Sequence, residues 1–411
     1  MIVAVKFSPK QIDFILNSTA RINIADGAVR SGKTFIFNVR WLEYIHCGPP
    51  GVLMMVGKTI RTLENNVLMA SPGGLFEMLG EGNYKYNRST GELNIGTRKI
   101  LCIGAADEKA EGKIRGLTLA GALCDEVTLY PQNFINQLLA RCSVRGAQLF
   151  WNCNPDSPNH YINQDFILNP VLAGKIKTFN FLMDDNPVLD PDYVADLKLM
   201  YTGVWYKRMI QGLWVQAEGL IYDMFSASRH VVSKPNVAFE KYYVTVDYGT
   251  QNPCVFLLFG TCADKHYLIK EYYWDGRKQK RQKTDEDYCD DFESFTKGFK
   301  LSGIAVDPSA ASFIAALRKR KFFITPAKNS VLDGIRNTAA QIALNKFYVY
   351  DSCVSTLQEF LAYSWDLKAS KQGEDKPIKD NDHAQDCIRY YFNTFASKPQ
   401  LRTFNRALLG I

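Results

Sequence analysis

Residues 27–34 read GAVRSGKT: a Gly, four residues, then Gly-Lys-Thr. Gly27 and Gly32 let backbone N–H groups turn inward on an anion, with Ser31 between them. In such a loop Lys33 reaches the β and γ oxygens of a nucleotide, and the Thr34 hydroxyl suits Mg²⁺. Arg21 to Asp26 reads as a strand and Thr34 to Ile45 as a helix, whose N-terminus adds positive potential. A loop that hydrolyses ATP also needs acids. About 90 residues on, the apolar run GALCDE ends in Asp125 and Glu126, the first suited to Mg²⁺ through water and the second to orienting the attacking water. Arg30, inside the loop, either stabilises charge on the γ-phosphate or pairs with a surface carboxylate. Asn154 lies in NCNPDSPNHY after the apolar run Ala147 to Trp151. It is a candidate γ-phosphate sensor, or part of a Pro-rich turn with no ligand. Gln11 in FSPKQ offers an amide to adenine, while Ser8 and Pro9 read equally as a helix cap and first helical residue.

A second set of acids lies in the C-terminal half. Asp247 ends YYVTVD, Asp307 ends GIAVD, and Asp382, His383 and Asp386 lie in NDHAQD. Paired Mg²⁺ or Mn²⁺ ions require several carboxylates from different elements, and hard oxygen donors suit both metals, with His383 leaning toward Mn²⁺. Each acid also has a local reading. Asp247 can form a turn, Asp307 can cap the helix after it, and Asp382 can cap the last helix. Glu271, in the third strand of this half, is a weaker ligand candidate. Arg277 to Lys283 (RKQKRQK) and Arg318 to Lys321 (RKRK) are solvated faces by default, with DNA phosphate contacts as the alternative. The first resembles the tip of a long hairpin.

These groups need elements to hold them. Apolar runs at Arg21 to Asp26, Val52 to Val56 and Leu119 to Cys124 alternate with helical stretches, and Tyr86 to Gly104 reads as a β-hairpin. DDNPVLDPDY starts a helix with Asp192 near its first turn, running through Tyr201 and resuming from Gly203 to Gln211. From Lys241 the order is three strands, the first two joined by a turn at 249–252. A helix near Asp285 to Phe299, the strand GIAVD, a helix over Phe313 to Lys319, the strand FFITPA and further helices follow. The last helix covers His383 to Phe395. The expected fold is α/β: a P-loop ATPase domain (1–178), a small helical linker (179–235) and an RNase H-like α/β nuclease domain (236–411).

Composition agrees. The 411 residues, 46% hydrophobic and 22% charged, suffice for two or three domains with sizeable cores. Ten cysteines without a Cys-x-x-Cys pair argue against structural zinc and fit a reducing compartment. A net charge of +7 is compatible with a nucleic-acid partner. No apolar run approaches the ~18 residues that cross a bilayer. MIVAVKFSPKQ has no cleavage-site pattern, so no secretory leader is expected.

Taken together, GAVRSGKT, LCDE, NPDSPNHY, VDYG, AVDPS and NDHAQD resemble the large terminase subunit of tailed phages, over nearly the whole chain. The resemblance implies ATP-driven translocation of double-stranded DNA into a procapsid, and metal-dependent cutting of concatemeric DNA. It assigns Arg30, Lys33, Thr34, Asp125 and Glu126 to hydrolysis, Asn154 to coupling, and Asp247, Asp307, His383 and Asp386 to cutting. It implies a homo-oligomeric ring, commonly a pentamer, with the portal and the small terminase subunit as partners, in the host cytoplasm and transiently docked on the procapsid. Arg141 and Arg145 are both candidates for an arginine acting on a neighbouring subunit. His160-Tyr161 stands where relatives often carry His-Trp. Two other readings are a helicase or repair nuclease, disfavoured by the single phosphate loop, and a non-catalytic DNA-binding subunit, disfavoured by intact Lys33, Glu126 and Asp307.

Overall fold

The computed structural model describes residues 6–234, 237–249 and 252–396. The chain separates into two compact units, one from residues up to 194 together with 207–216, the other from 195–206 and from 217 onward. Residues 179–235 are shared between the two.

The first unit is built on eight strands: β1 (Ile22–Gly27), β2 (Val52–Gly57), β3 (Lys85–Asn87), β4 (Glu92–Ile95), β5 (Arg98–Gly104), β6 (Leu119–Cys124), β7 (Gln148–Asn152) and β8 (Ile176–Phe181). Their order in one sheet is β3-β4-β5-β2-β6-β7-β1-β8. The β5-to-β8 part is parallel, and β3 and β4 add an antiparallel edge where the hairpin is expected. Parallel strands here read as unbroken apolar runs because both faces are covered. Successive side chains point to opposite faces: Leu53 and Met55 join a core with Phe14, Trp41 and Phe150, while Met54 and Val56 join another with Ile135, Leu138 and Trp151. The position 178 falls inside β8, which pairs with β1 along its length.

The second unit contains β9 (Val231–Val232), β10 (Lys241–Asp247), β11 (Cys254–Cys262), β12 (Lys265–Trp274), β13 (Leu301–Val306), β14 (Ile324–Pro326) and β15 (Phe347–Tyr350). Their order is β14-β13-β10-β11-β12-β15-β9. β10, β11 and β12 form the expected antiparallel meander, and β13 joins β10 in parallel on its other side. The turn expected at 249–252 lies partly outside the described residues. One sheet face packs on helices Asp285–Thr296 and Ala311–Lys319 through Phe256, Phe292 and Phe313. The opposite face receives helix His383–Thr394: Thr245 Oγ1 donates to Cys387 O at 2.9 Å, and the Phe259 and Tyr391 rings stack at 3.9 Å.

Residues 277–283 are not a hairpin tip. They connect β12 to helix Asp285–Thr296, which Thr284 and Asp287 start with a capping box. The acidic run after the basic cluster supplies Asp285, Glu286 and Asp287 to that first turn, where negative charge is favourable. Lys283 is held by Asp291 and sits 3.8 Å above the Trp274 ring. In RKRK, Arg320 is bound to Glu286, Asp290 and Glu293, an ion-paired solvated face.

Candidate functional site

The 27–34 loop joins the C-terminal end of β1 to helix Lys33–Cys47. Both motif glycines are required by geometry. Gly27 has φ +133°, and a Cβ there would stand 2.0 Å from Phe181 O on β8. Gly32 has φ +84°, and its Cβ would meet Gln11 Nε2 at 2.6 Å. Left-handed backbone of this kind is natural only to glycine. Arg30 nevertheless adopts φ +58°, and its carbonyl accepts from Asn186 Nδ2 at 2.8 Å. The Arg30 side chain is exposed, 6.0 Å over the Tyr193 ring, and makes no carboxylate pair among the described residues.

Lys33 is only 8% exposed. Its Nζ donates to Gly27 O (3.0 Å), Ala28 O (2.6 Å), Ser31 Oγ (3.3 Å) and Asn154 Oδ1 (3.1 Å). Burial pushes its ammonium down to about 8, against the pull of Cys153, Asp26, Asp125 and Glu126. Ser31 Oγ donates to Ala28 O at 2.9 Å, and Thr34 is half-buried at the start of the helix.

The acids follow β6, with β7 between β6 and β1. Asn152, which ends β7, donates from Nδ2 to Asp125 Oδ1 (2.8 Å) and accepts the Glu126 N–H on Oδ1 (2.7 Å). Burial raises Asp125 above the usual carboxylate range, and Glu126 sits at φ +59°. Asn152 ends β7 and Asn154 lies two residues beyond it, one on the acids and one on Lys33. That period-2 spacing was the available signal for Asn152, which the sequence reading passed over.

Gln11 is buried, and both of its readings bear on one place. Its Oε1 accepts from Ser8 N at 3.0 Å and its backbone N–H donates to Ser8 Oγ at 3.3 Å, a capping box with Pro9 at the first helical position. Its amide nitrogen meanwhile faces Gly32.

The stretch after Asn154 leads away from the loop. His160 Nε2 bonds Thr128 O at 3.1 Å and Tyr161 OH donates to Tyr130 O at 2.9 Å. Asp156 Oδ1 accepts from fully buried Arg208 at 2.8 Å. Residues 207–216 also reach β1: Val29 N donates to Met209 O at 2.8 Å, and Trp214 Nε1 to Asp26 Oδ2 at 2.9 Å. Burial raises Asp26, and the Trp214 bond opposes the rise. None of Asp26, Arg208 and Trp214 belongs to a local pattern. Of the two candidate trans arginines, Arg141 ends helix Gln132–Arg141 half-buried, and Arg145 is exposed beyond it.

In the second unit, Asp247 ends β10 and Asp307 follows β13, its N–H donating to Val246 O at 3.4 Å. Helix His383–Thr394 presents His383, Asp386 and Tyr390, spaced for one helical face. His383 Nδ1 lies 2.8 Å from Asp247 Oδ2. Tyr390 OH donates to Asp307 Oδ2 at 2.6 Å, and Asp307 Oδ1 accepts from Ser309 N at 2.7 Å. Asp386 is bound by buried Arg389, and Lys379 lies 3.5 Å from Asp386 and 3.1 Å from Asp382. Asp382 occupies the N-cap position but makes no side-chain cap bond.

Burial raises Asp247; the His383 bond opposes this, and the charges of Asp386 and Asp307 add to it. For Asp307 burial works upward too, yet bonds from Tyr390 and Ser309 hold it below the usual range. Burial pushes His383 down, and Asp247 first, with the charges of Asp382 and Glu359, more than reverses it. The donor chemistry, carboxylates with one imidazole, fits Mg²⁺ or Mn²⁺. Among the described residues, however, no three His, Cys, Asp or Glu side chains converge as a metal cage. The reason is visible in the bonds: His383, Tyr390 and Arg389 each hold a different carboxylate. Glu271 is not a ligand candidate in this arrangement. Its carboxylate accepts Ser355 N (2.9 Å), Thr356 N (2.9 Å) and Thr356 Oγ1 (2.8 Å), capping helix Val354–Phe360.

A family model described as "Terminase large subunit, T4likevirus-type, N-terminal" matches residues 24–229. The solved large terminase of a thermophilic bacteriophage is 40% identical, with a TM-score of 0.88 over 95% of this chain and 99% of that one. The chain belongs to the large terminase subunit family. The same thermophilic phage protein has also been solved with ADP (39% identity, TM-score 0.86) and with ATP-γ-S (40%, 0.85), each covering 95% of this chain and 99% of that one. The large terminase subunit of Escherichia phage T5 is 27% identical over 220 residues, 50% of this chain and 49% of that protein. The match thus spans about half the length of that curated relative. No helix among the described residues is long and apolar enough to cross a membrane.

Proposed function

We propose that the chain is an ATP-driven motor that moves double-stranded viral DNA into a procapsid and cuts concatemeric DNA with a separate, metal-dependent nuclease. The observation that carries the motor reading is the double clamp on the phosphate loop: Asn154 on Lys33, and Asn152 on Asp125 and Glu126. The nucleotide complexes of the thermophilic phage protein support ATP as the ligand.

In this reading the backbone of Gly27 to Gly32, with Ser31 and Lys33, holds the phosphates, and Gln11 lies beneath the loop. Thr34 and Asp125 would hold Mg²⁺, which neutralises phosphate charge when bound. Glu126 orients the attacking water, and exposed Arg30 turns inward to stabilise charge on the γ-phosphate. Asn154 senses that phosphate through Lys33. The shift passes along residues 156–161 to Arg208, and through Trp214 to the segment packed under β1.

The second unit is read as an RNase H-like nuclease. Its support is the strand order β14-β13-β10-β11-β12, which sets Asp247 and Asp307 side by side at the ends of parallel strands beneath one helix. Asp247, Asp307 and Asp386, with Asp382 and His383, would hold two Mg²⁺ or Mn²⁺ ions, which activate water and stabilise the leaving oxygen. The domain reading assigns ATPase, helical linker and nuclease to residues 1–178, 179–235 and 236–411. The implied partners are DNA, the portal, the small terminase subunit and further copies in a ring, in the host cytoplasm and on the procapsid.

The test is crossed. Lys33→Ala should abolish ATP turnover and leave Mn²⁺-dependent plasmid nicking intact, and Asp307→Asn should do the reverse. Loss of both activities in either folded variant would defeat the two-site reading.

A further inference from the structure

Helix His383–Thr394 carries the groups that meet the sheet acids, so whatever sets its first turn sets the site. First-turn N–H groups have no intrahelical partner, and the N-cap residue Asp382 does not supply one from its side chain. The acceptor comes from 25 residues upstream. Glu359, on helix Val354–Phe360, is 3% exposed. Its Oε2 accepts from Ala384 N at 2.8 Å and Gln385 N at 3.1 Å, and its Oε1 accepts from Tyr273 OH at 2.9 Å.

Tyr273 belongs to the cross-strand row Asp247–Val255–Tyr273. Glu359 therefore ties the start of the helix to the same row of the sheet that ends in Asp247. The helix that carries Glu359 is held in turn by Glu271, two residues before Tyr273 on β12. Two carboxylates thus form a chain of attachment from β12, through the short helix, to the first turn that presents His383 and Asp386.

We propose that Glu359 is a positioning residue for the acid site. Its Oε2 gives the Ala384 and Gln385 N–H groups their acceptor and so fixes the rotation of the first turn. That rotation aims His383 at Asp247 and Tyr390 at Asp307. The proposal rests on the reading that these acids hold divalent cations. Removing a cap that only stabilised the helix would lower the melting temperature and leave the metal affinity of the folded protein unchanged. A positioning group changes that affinity, because partners behind metal ligands typically alter it by roughly 10- to 100-fold.

The experiment titrates the full-length chain with Mn²⁺ by calorimetry, without nucleotide or DNA. Wild type, Glu359→Gln, Glu359→Ala, Glu359→Met and Asp307→Asn are compared, with melting temperature, ATP turnover and amide exchange at Ala384 and Gln385 recorded alongside. Glu359→Gln retains a carbonyl for the two N–H groups and nearly the same shape, so it should rescue the site, with Mn²⁺ affinity, ATP turnover and melting temperature close to wild type. Glu359→Met keeps the length of the side chain without an acceptor and serves where Glu359→Ala fails to fold. Both are expected to lose protection at the two amides and to bind Mn²⁺ roughly tenfold more weakly. Wild-type affinity in a folded Glu359→Ala or Glu359→Met protein, with binding lost in Asp307→Asn, would overturn the proposal and leave the nuclease reading standing, as would binding in Glu359→Gln as weak as in Glu359→Met. Absence of Mn²⁺ binding by wild type would refute the metal reading and the proposal together.

Discussion

Two asparagines, one ending β7 and one two residues beyond it, hold different groups: Asn154 accepts from Lys33, and Asn152 binds the two acids. Asn152 has no charge to contribute, yet it fixes the Asp125 carboxylate and the Glu126 backbone at once. Asn152→Ala should therefore lower the ATP turnover number by roughly 10- to 100-fold while nucleotide binding persists, the effect typical of a residue that orients a reacting group. Steady-state turnover set against equilibrium nucleotide binding checks this. Gly27→Ala should act differently. Its methyl would stand 2.0 Å from Phe181 O, so β1 and β8 must separate. We expect a loss of about 3 kcal/mol or more, read as a lower denaturant midpoint, with nucleotide binding lost as well.

At the scale of elements, the seam between β12 and helix His383–Thr394 contains a titratable group. His266 Nδ1 lies 2.8 Å from Tyr391 OH, and burial pushes the imidazole down to about 4. An unfolded His takes up its proton near pH 6.5, so between about 6.5 and 4 the unfolded state binds more protons than the folded one. Stability is then complete above about pH 6.5 and falls as the pH drops through this window, by up to about 3 kcal/mol. Urea unfolding at about pH 7 and about pH 5, either side of the onset, should show a loss that shrinks in His266→Phe. An equal loss in both proteins would place the acid sensitivity elsewhere. Trp214 offers a second element-scale test. Its indole binds Asp26, directly before the phosphate loop, so nucleotide binding should change tryptophan emission in wild type and much less in Trp214→Phe.

For the whole molecule, the point where the second unit begins has consequences. Ile221 N donates to Tyr363 O at 2.9 Å, buried Tyr222 lies by Tyr363, and the Phe225 and Phe360 rings stack at 4.0 Å. His230 Nε2 lies 3.1 Å from Ile342 O, and β9 pairs with β15. A fragment from residue 217 keeps these contacts, whereas one from 236 loses several buried side chains worth about 2 kcal/mol each. We expect the longer fragment to be more stable by about 5 kcal/mol, as measured by chemical denaturation. Equal stability would mean that residues 217–235 belong with the first unit.

The sequence alone determined the strand, glycine loop and helix around residues 27–34, the Asp125-Glu126 strand end, most strands of both sheets and the order of elements around Asp247, Asp307 and Asp386. Those features are local: glycine spacing, apolar runs and strand ends are written in neighbouring residues. It could not determine that Glu271 is a helix cap, that RKQKRQK links a strand to a helix, or that β9 and β15 extend the second sheet. Nor could it find Arg208, Trp214 or Glu359. Each of these depends on a partner brought close by folding, such as Asp26 with Trp214 or Glu359 with Ala384. A polar side chain's role is set by the acceptor or donor left over when backbone elements pack, and only the tertiary structure decides which group that is.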